Sequence, residues 1–177
     1  FSDIRGFTSM SEKLSPSEIV KLLNKYFKSM IDVVFKYNGT LDKIVGDELM
    51  VLYGVPLKNE NDTFDAVKTA VEMFKALDKF NKKIISEGYE PFRIGIGINQ
   101  GKAVSGNIGS DQQMNYTVIG DTINLGARLC SHAKSGEILI SRTVKDIIGK
   151  QFSFKKIPSI KVKGKVKAID VWLYKHR

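Results

Sequence analysis

Two long stretches with helical signals, separated by short strand-like runs, constrain the fold of this 177-residue chain more than any other feature. The first begins with a capping box at Ser15 and Glu18, has Pro16 at its first helical position, and ends at Gly39. Its apolar residues recur at helical spacing. The second runs over about residues 62–86. Long helices that alternate with strands predict an α+β fold around a mixed or antiparallel sheet.

Short extended segments lie between and after these helices. Residues 40–54 predict two strands joined at Gly46 and Asp47, a hairpin turn with glycine first. Residues 92–109 predict two more strands, linked at residues 99–101. The remaining segments are MNYTVIG, EILIS followed by a short helix, and the C-terminal FSFKKIPSIKVKGKVKAIDVWLYKHR, which turns around Gly164.

Composition indicates a globular domain and excludes several kinds of site. The net charge is +9, which suits a polyanionic partner such as a nucleotide, a nucleic acid or an anionic membrane face. The lysines are spread along the chain, however, and a merely solvated basic surface explains most of them. The single cysteine, Cys130, excludes an internal disulfide and fits a reducing compartment. The two histidines are too few for a zinc site.

The location and the domain boundaries are also open to prediction. The sequence has no apolar run of about 18 residues, so we expect a cytoplasmic domain, with membrane attachment of the full-length protein left open. The opening residues FSDIRGF have the pattern of the end of a strand. We therefore expect residues 1–177 to be one domain cut from a longer multidomain protein, with regulatory segments upstream.

The stretch YTVIGDTINLGARLC contains a helix with an unusual polar seam. At about 100° per residue, its apolar residues form two stripes, and Asn124 and Arg128 lie one turn apart in the gap between them. An amide and a guanidinium aligned in this way must aim their donors at something, which the rest of the chain has to identify.

Charged residues beside glycines or strand ends are the other candidates for chemistry. Asp3 and Asp47 could bind Mg²⁺, which takes one or two carboxylates together with phosphate oxygens and water; each could equally cap a turn. On a regular strand Lys43 shares a face with residue 47, where it could donate to a ligand or form a weak salt bridge. Arg93 is either a strand-edge charge or a ligand contact. The alternating IKVKGKVK is either a hairpin tip or a source of one phosphate-binding lysine.

Five motifs together resemble the class III nucleotidyl cyclase catalytic domain over nearly the whole chain. They are, in order, FSDIRGFT, KIVGDELM, RIGIGINQG, YTVIGDTINLGARL and VKGK. The glycine-rich stretch matches neither a Walker A loop nor G-x-G-x-x-G. The resemblance implies an α+β fold with a ferredoxin-like βαββαβ core and additional strands.

The resemblance also implies an activity, conversion of ATP to 3′,5′-cyclic AMP and pyrophosphate, with two Mg²⁺ or Mn²⁺ ions in each site. At the positions of Lys43 and Thr117, guanylyl cyclases typically carry Glu and Cys, so the sequence resembles the adenylyl type. The implied roles are metal binding by Asp3, Asp47 and the Ile4 carbonyl, adenine recognition by Lys43 and Thr117, triphosphate binding by Arg93 and Lys163, and orientation of the ribose and stabilisation of the α-phosphate by Asn124 and Arg128.

The family builds its site between two domains arranged head to tail. Because all of the implied positions are filled in one chain, we expect a homodimer with two equivalent sites. Asp3, Asp47 and Arg93 would come from one protomer, and the base, ribose and remaining phosphate contacts from its partner. The departures from the family pattern, Asn99, Gly126 and Cys130, are expected to affect only helix packing and rim contacts.

Four alternatives remain open at this stage. Guanylyl cyclase is the nearest, and Lys43 and Thr117 argue against it. A diguanylate cyclase shares the general fold, but VGDEL is not its signature. A catalytically inactive dimerisation or nucleotide-sensing module is disfavoured by the complete set of catalytic positions. A basic nucleic-acid-binding domain has only the net charge in its favour, so we expect no nucleic-acid partner.

Overall fold

The computed structural model describes residues 1–162 and 168–176. Lys163 and Gly164 lie outside the described residues. The helices are α1 (Phe7–Ser11), α2 (Pro16–Lys36), α3 (Asp62–Ser86), α4 (Asp121–His132) and α5 (Arg142–Ile148). The strands are β1 (Ser2–Ile4), β2 (Thr40–Val45), β3 (Glu48–Leu52), β4 (Ile94–Ile98), β5 (Val104–Ser110), β6 (Gln113–Ile119), β7 (Glu137–Ser141), β8 (Lys155–Ile160) and β9 (Ile169–Lys175).

The main sheet has seven strands in the order β2-β3-β1-β4-β7-β9-β8. The pair β4–β7 is parallel and the other neighbours are antiparallel. The units β1-α2-β2 and β3-α3-β4 place their strands in the order β2-β3-β1-β4. This is the ferredoxin-like βαββαβ arrangement, so the predicted α+β fold with additional strands is confirmed.

Local signals fixed the boundaries of the long helices. The side chain of Ser15 accepts a hydrogen bond from the backbone N–H of Glu18, and Glu18 accepts one from the backbone N–H of Ser15. The predicted capping box is therefore present. The hairpin turn falls at Gly46 and Asp47 as predicted, and Gly46 has φ of 61°, which glycine adopts without the strain that a Cβ brings.

The sheet has a hydrophobic layer on each face. On one face, α2 and α3 bury an aromatic cluster that includes Tyr26, Phe80 and Phe92. On the other face, Leu129 of α4 packs in a smaller cluster with Leu139 of β7. Strand alternation sends the neighbours of Leu139 into the first cluster and Leu139 itself into the second. Helix α4 is thereby held flat against the sheet.

Strands β5 and β6 form a separate two-stranded sheet. The sequence predicted β4 and β5 as consecutive strands, but the structure places them in different sheets. The β5–β6 hairpin exposes large apolar side chains: Val104, Ile108, Met114, Tyr116 and Ile119. We call this exposed apolar surface the hairpin face.

Among the helices of residues 1–162 and 168–176, none combines the length and the apolar character needed to cross a membrane.

Gly97 of β4 allows α4 to approach the sheet closely. A Cβ at this position would lie 2.1 Å from the backbone nitrogen of Cys130 and 2.6 Å from the carbonyl oxygen of Gly126. Both are backbone atoms of α4, which cannot rotate out of the way as a side chain could. The position of Asn124 and Arg128 therefore depends on a glycine in the neighbouring strand.

We expect Gly97→Ala to destabilise the domain by about 2–3 kcal/mol, because α4 must shift away from β4. For a domain of this size, that lowers the melting temperature by roughly 5–10 °C. The matched control is Gly106→Ala on β5, where an added Cβ meets nothing within 4 Å. Differential scanning calorimetry of both variants checks this expectation. Equal melting temperatures for the two variants would contradict the close-approach role of Gly97.

Candidate active site

Asp3 and Asp47 lie beside each other at one end of the main sheet. Asp3 is in β1, which pairs with β3 directly after the turn that carries Asp47. The Asp47 carboxylate accepts a hydrogen bond from the backbone N–H of Ile4. Burial, the charge of Asp3 and a side-chain hydrogen bond with Asp3 raise the pKa of Asp47 to about 6. Two carboxylates held this close are unfavourable unless a proton or a cation is shared between them.

Arg5 links this carboxylate pair to helix α4. Its Nη1 atom lies 2.9 Å from Oδ2 of Asp3, and its Nη2 atom donates to the Cys130 carbonyl oxygen at 2.6 Å. No sequence pattern singled out Arg5 as a functional residue. The usable signal is that residues two apart on a strand share a face, so that Arg5 can reach Asp3.

Arg93 lies at the same end of the sheet. It directly precedes β4, and its carbonyl oxygen accepts a hydrogen bond of 2.7 Å from the backbone N–H of Arg5. Its side chain is exposed. Arg93 is therefore close in the fold to β1, at the end of the sheet that carries the carboxylates, and its side chain is accessible.

Lys43 and Thr117 are brought together although 74 residues separate them in the sequence. The ammonium group of Lys43 donates to Thr117 Oγ1 at 3.0 Å. A third residue, Asp42, accepts a hydrogen bond of 3.0 Å from the Thr117 hydroxyl and lies 3.2 Å from the Lys43 ammonium. Thr117 is 8% exposed. Asp42 is the second residue at this site that sequence reasoning missed.

A β-bulge in β2 explains why the sequence did not predict the contact between Asp42 and Thr117. Leu41 pairs with Val51, but Lys43 pairs with Met50, so the register shifts between Leu41 and Lys43. On the regular strand that the sequence suggested, Asp42 and Lys43 would point to opposite faces. A bulge re-aims side chains, and here both reach Thr117. The assumption of a regular strand was wrong at this point.

The polar seam of α4 faces outward. Leu129 and Cys130 are buried, whereas Asn124 is exposed and Arg128 is half-buried. Within the described part of the chain, neither polar side chain makes a hydrogen bond or ion pair with another residue. That the amide and the guanidinium serve a ligand or a partner stays a prediction, which their exposure makes sterically possible.

The predicted site residues differ in position from the residues that line the cleft beside β3 and β4 in the described part of the chain. This cleft of about 1130 Å³ lies between β3, β4, α3 and the start of α4. None of the predicted site residues that the structure describes lines it. Nor do residues 1–162 and 168–176 contain three or more His, Cys, Asp or Glu side chains grouped to hold a metal ion. Lys163 lies outside the described residues.

Sequence comparison finds relatives along almost the whole chain. The family described as the adenylate and guanylate cyclase catalytic domain matches residues 1–175. The adenylate cyclase of Anabaena cylindrica is 36% identical over 181 residues, which cover 97% of this chain and 35% of that protein. Adenylate cyclase 1 of Rhizobium meliloti (strain 1021) is 31% identical over 174 residues, which cover 97% of this chain and 26% of that protein. The chain thus spans about a third or less of these curated relatives.

Solved structures give the same fold. The adenylyl cyclase CyaB from P. aeruginosa superimposes with a TM-score of 0.95 at 37% identity, covering 99% of this chain and 92% of that one. The guanylyl cyclase Cya2 superimposes with a TM-score of 0.93 at 40% identity, covering 97% and 87%. With the family matched over residues 1–175 and the fold reproduced by both enzymes, this chain belongs to the adenylate and guanylate cyclase catalytic domain family.

Proposed function

We propose that this domain is an adenylate cyclase, which converts ATP to 3′,5′-cyclic AMP and pyrophosphate. The observation that carries the choice of base is the contact between Lys43 and Thr117 at 3.0 Å. An ammonium donor suits the acceptor N1 of adenine, and a hydroxyl oxygen can accept from the exocyclic amine. Overall similarity does not separate the two substrates, because the compared guanylyl cyclase is 40% identical and the adenylyl cyclase 37%.

We place the cations at Asp3, Asp47 and the carbonyl oxygen of Ile4. These are hard oxygen donors, the kind that Mg²⁺ and Mn²⁺ take together with phosphate oxygens and water. Burial and the neighbouring charge of Asp3 raise the pKa of Asp47, so a cation bound beside the pair would stabilise its charged form. These oxygens would hold two divalent ions, which would supply activation of the 3′-oxygen and neutralisation of charge on the leaving pyrophosphate.

The remaining residues supply binding and electrostatic stabilisation. In this proposal, Arg93 and Lys163 hold the triphosphate, and Asn124 orients the ribose. Arg128 donates to the α-phosphate oxygens, on which negative charge accumulates as the 3′-oxygen attacks and the pyrophosphate leaves. Its side chain makes no hydrogen bond or ion pair within the described part of the chain, which leaves the guanidinium available for this role.

The proposed assembly is a head-to-tail homodimer. The outward seam of α4 and the exposed hairpin face both support it, because each needs a partner surface. Within a single chain, the backbone of Arg93 accepts a hydrogen bond from that of Arg5 beside the carboxylates, and Lys43 contacts Thr117. One protomer would give Asp3, Ile4, Asp47 and Arg93, and its partner would give Lys43, Thr117, Asn124, Arg128 and Lys163.

The proposed function also includes a cytoplasmic site of action. The one cysteine of the chain, Cys130, is buried and unpaired, and the substrate would be ATP, so a cytoplasmic site of action fits. Regulation by upstream domains of a longer protein stays a prediction. We propose no nucleic-acid partner.

A direct assay tests the proposed function. The purified domain is incubated with ATP or with GTP in the presence of Mn²⁺, and cyclic nucleotide is measured by chromatography. We expect cyclic AMP as the main product and none above background from Asp47→Ala, because that variant lacks a cation-binding carboxylate. No cyclic AMP from the wild type would reject the proposal. Cyclic GMP alone would instead support the second candidate, a guanylyl cyclase, with which the similarity to Cya2 is also compatible.

A further inference from the structure

We propose that Asp42 is a positioning residue that sets base specificity by fixing the direction of the Thr117 hydroxyl. Asp42 itself would not touch the nucleotide. It would hold the hydroxyl proton, so that Thr117 presents only an acceptor to the base. This inference rests on the proposed role of Lys43 and Thr117 in recognising adenine, and its test is designed to separate the two.

The side chains of Asp42, Lys43 and Thr117 lie close to one another. Oδ2 of Asp42 lies 3.0 Å from Thr117 Oγ1 and 3.2 Å from the ammonium nitrogen of Lys43. The same ammonium lies 3.0 Å from Thr117 Oγ1. The three polar atoms thus form a closed triangle. The Asp42 side chain is only 2% exposed, whereas that of Lys43 is 42% exposed, so the carboxylate lies behind the other two groups.

The donors and acceptors of these three groups determine where the hydroxyl proton of Thr117 lies. An ammonium group can only donate hydrogen bonds, and a carboxylate can only accept them. The hydroxyl of Thr117 has one proton and two acceptor sites. Since Lys43 donates to this oxygen, the hydroxyl proton must go to Asp42. One acceptor site on Thr117 and at least one proton on Lys43 are left for a ligand.

The two purine bases differ in the donors and acceptors that they would present to Lys43 and Thr117. Adenine has an amine donor at position 6 and an acceptor at N1, and it matches an acceptor hydroxyl beside an ammonium. Guanine has a carbonyl acceptor at position 6 and an N–H donor at N1. In the same pose, guanine would set acceptor against acceptor at Thr117 and donor against donor at Lys43. Without Asp42, the Thr117 hydroxyl could rotate and donate to guanine, and half of this mismatch would disappear.

The bulge in β2 is what makes the arrangement possible. It directs the adjacent residues Asp42 and Lys43 to the same side of the strand, where both reach Thr117 on β6. A carboxylate needed only to balance the charge of Lys43 would not have to contact the hydroxyl. This contact distinguishes the proposed role from a simple ion pair.

The decisive variant is Asp42→Asn, whose amide can donate to Thr117 and release the hydroxyl proton. We expect the ratio of kcat/KM for ATP to kcat/KM for GTP to fall by about tenfold, which equals about 1.4 kcal/mol of lost discrimination. The matched control is Asp32→Asn on α2, since Asp32 also pairs with a lysine, Lys28, at 3.4 Å but on the exposed surface. That variant should keep the wild-type ratio.

A double variant separates positioning from general disruption. Thr117→Val removes the hydroxyl while keeping the side-chain volume, and it should also lower the ratio. If Asp42 acts through this hydroxyl, then adding Asp42→Asn to Thr117→Val changes the ratio no further. Independent, additive effects would overturn the proposal, as would an unchanged ratio in Asp42→Asn. Thr117→Ser, which keeps the hydroxyl, should retain the preference for ATP.

Binding measurements keep this test separate from the catalytic proposal. Calorimetry with 3′-deoxy-ATP and 3′-deoxy-GTP in Mn²⁺ reports base preference without turnover, since neither analogue has the attacking oxygen. If the wild type makes no cyclic nucleotide but prefers the adenine analogue, and Asp42→Asn loses that preference about tenfold, the proposed function fails and the role of Asp42 stands. If the wild type is active and Asp42→Asn keeps its preference in both assays, only the role of Asp42 fails. A wild type that binds neither analogue, or both equally, overturns it too.

Discussion

Mixing two inactive variants, Asp47→Ala and Arg128→Ala, is expected to restore about a quarter of the wild-type activity. Each variant alone should be inactive, because each loses one essential group from both sites of the proposed homodimer. In a random mixture about half of the dimers are heterodimers, and each has one intact and one doubly damaged site. The expected recovery follows from the outward position of Arg128 on α4.

The measurement is cyclic AMP formation at constant total protein as the ratio of the two variants is varied. Activity should peak at equal amounts and vanish at either end. The control mixes Asp47→Ala with Asp3→Ala, two changes that fall on the same protomer's contribution, and should give no recovery. Recovery in the control, or none in the test mixture with dimers verified by light scattering, would contradict the shared-site proposal.

The second large effect is a trade between activity and stability at Asp47. In Asp47→Asn, we expect activity to fall by about 10³-fold, since a lost cation ligand removes roughly 4 kcal/mol of charge stabilisation. The metal-free variant should nevertheless be more stable than the wild type. The wild-type carboxylate is partly buried beside Asp3, and the neutral amide removes that repulsion.

The difference in stability between Asp47→Asn and the wild type should depend on pH. The pKa of Asp47 rises to about 6 in the folded domain, above an unfolded value of about 3.9. The native state therefore binds the proton more tightly, and stability falls as pH rises between about 4 and 6. The melting temperature of Asp47→Asn should match the wild type near pH 4. Above pH 6 it should exceed the wild type by a few degrees. The expected gain in the free energy of unfolding is only about 1 kcal/mol, because Asp47 is partly solvent-screened.

Thermal melts in the presence of a chelator, from pH 4 to pH 8, check this expectation. Asp146→Asn serves as the control, because it removes an exposed carboxylate on α5 and should not alter the pH profile relative to the wild type. Adding Mn²⁺ should raise the wild-type melting temperature at pH 7 and leave that of Asp47→Asn nearly unchanged. A variant that is less stable than the wild type at pH 7 without metal would show that the carboxylate pair is not strained.

Regular elements with strong local signals could be predicted from the sequence. The helix α2 begins where the capping box of Ser15 and Glu18 places it, and α3 has the predicted bounds of Asp62 and Ser86. The hairpin at Gly46 is also where the sequence predicted it. The five-residue helix α1 was not predicted, because it has no side-chain cap and buries no residue. The local sequence pattern of α1 is therefore too weak to predict a helix.

The sequence by itself determined the long helices, the glycine turn, the family and the polar seam of Asn124 and Arg128, because capping, periodicity and motif spacing are local properties of the chain. Only the tertiary structure decided which distant groups meet. A bulge turns Asp42 toward Thr117, a glycine in β4 admits α4, and Arg5 joins Asp3 to Cys130. These contacts depend on strand register and close packing, which arise only when segments far apart in sequence pack together.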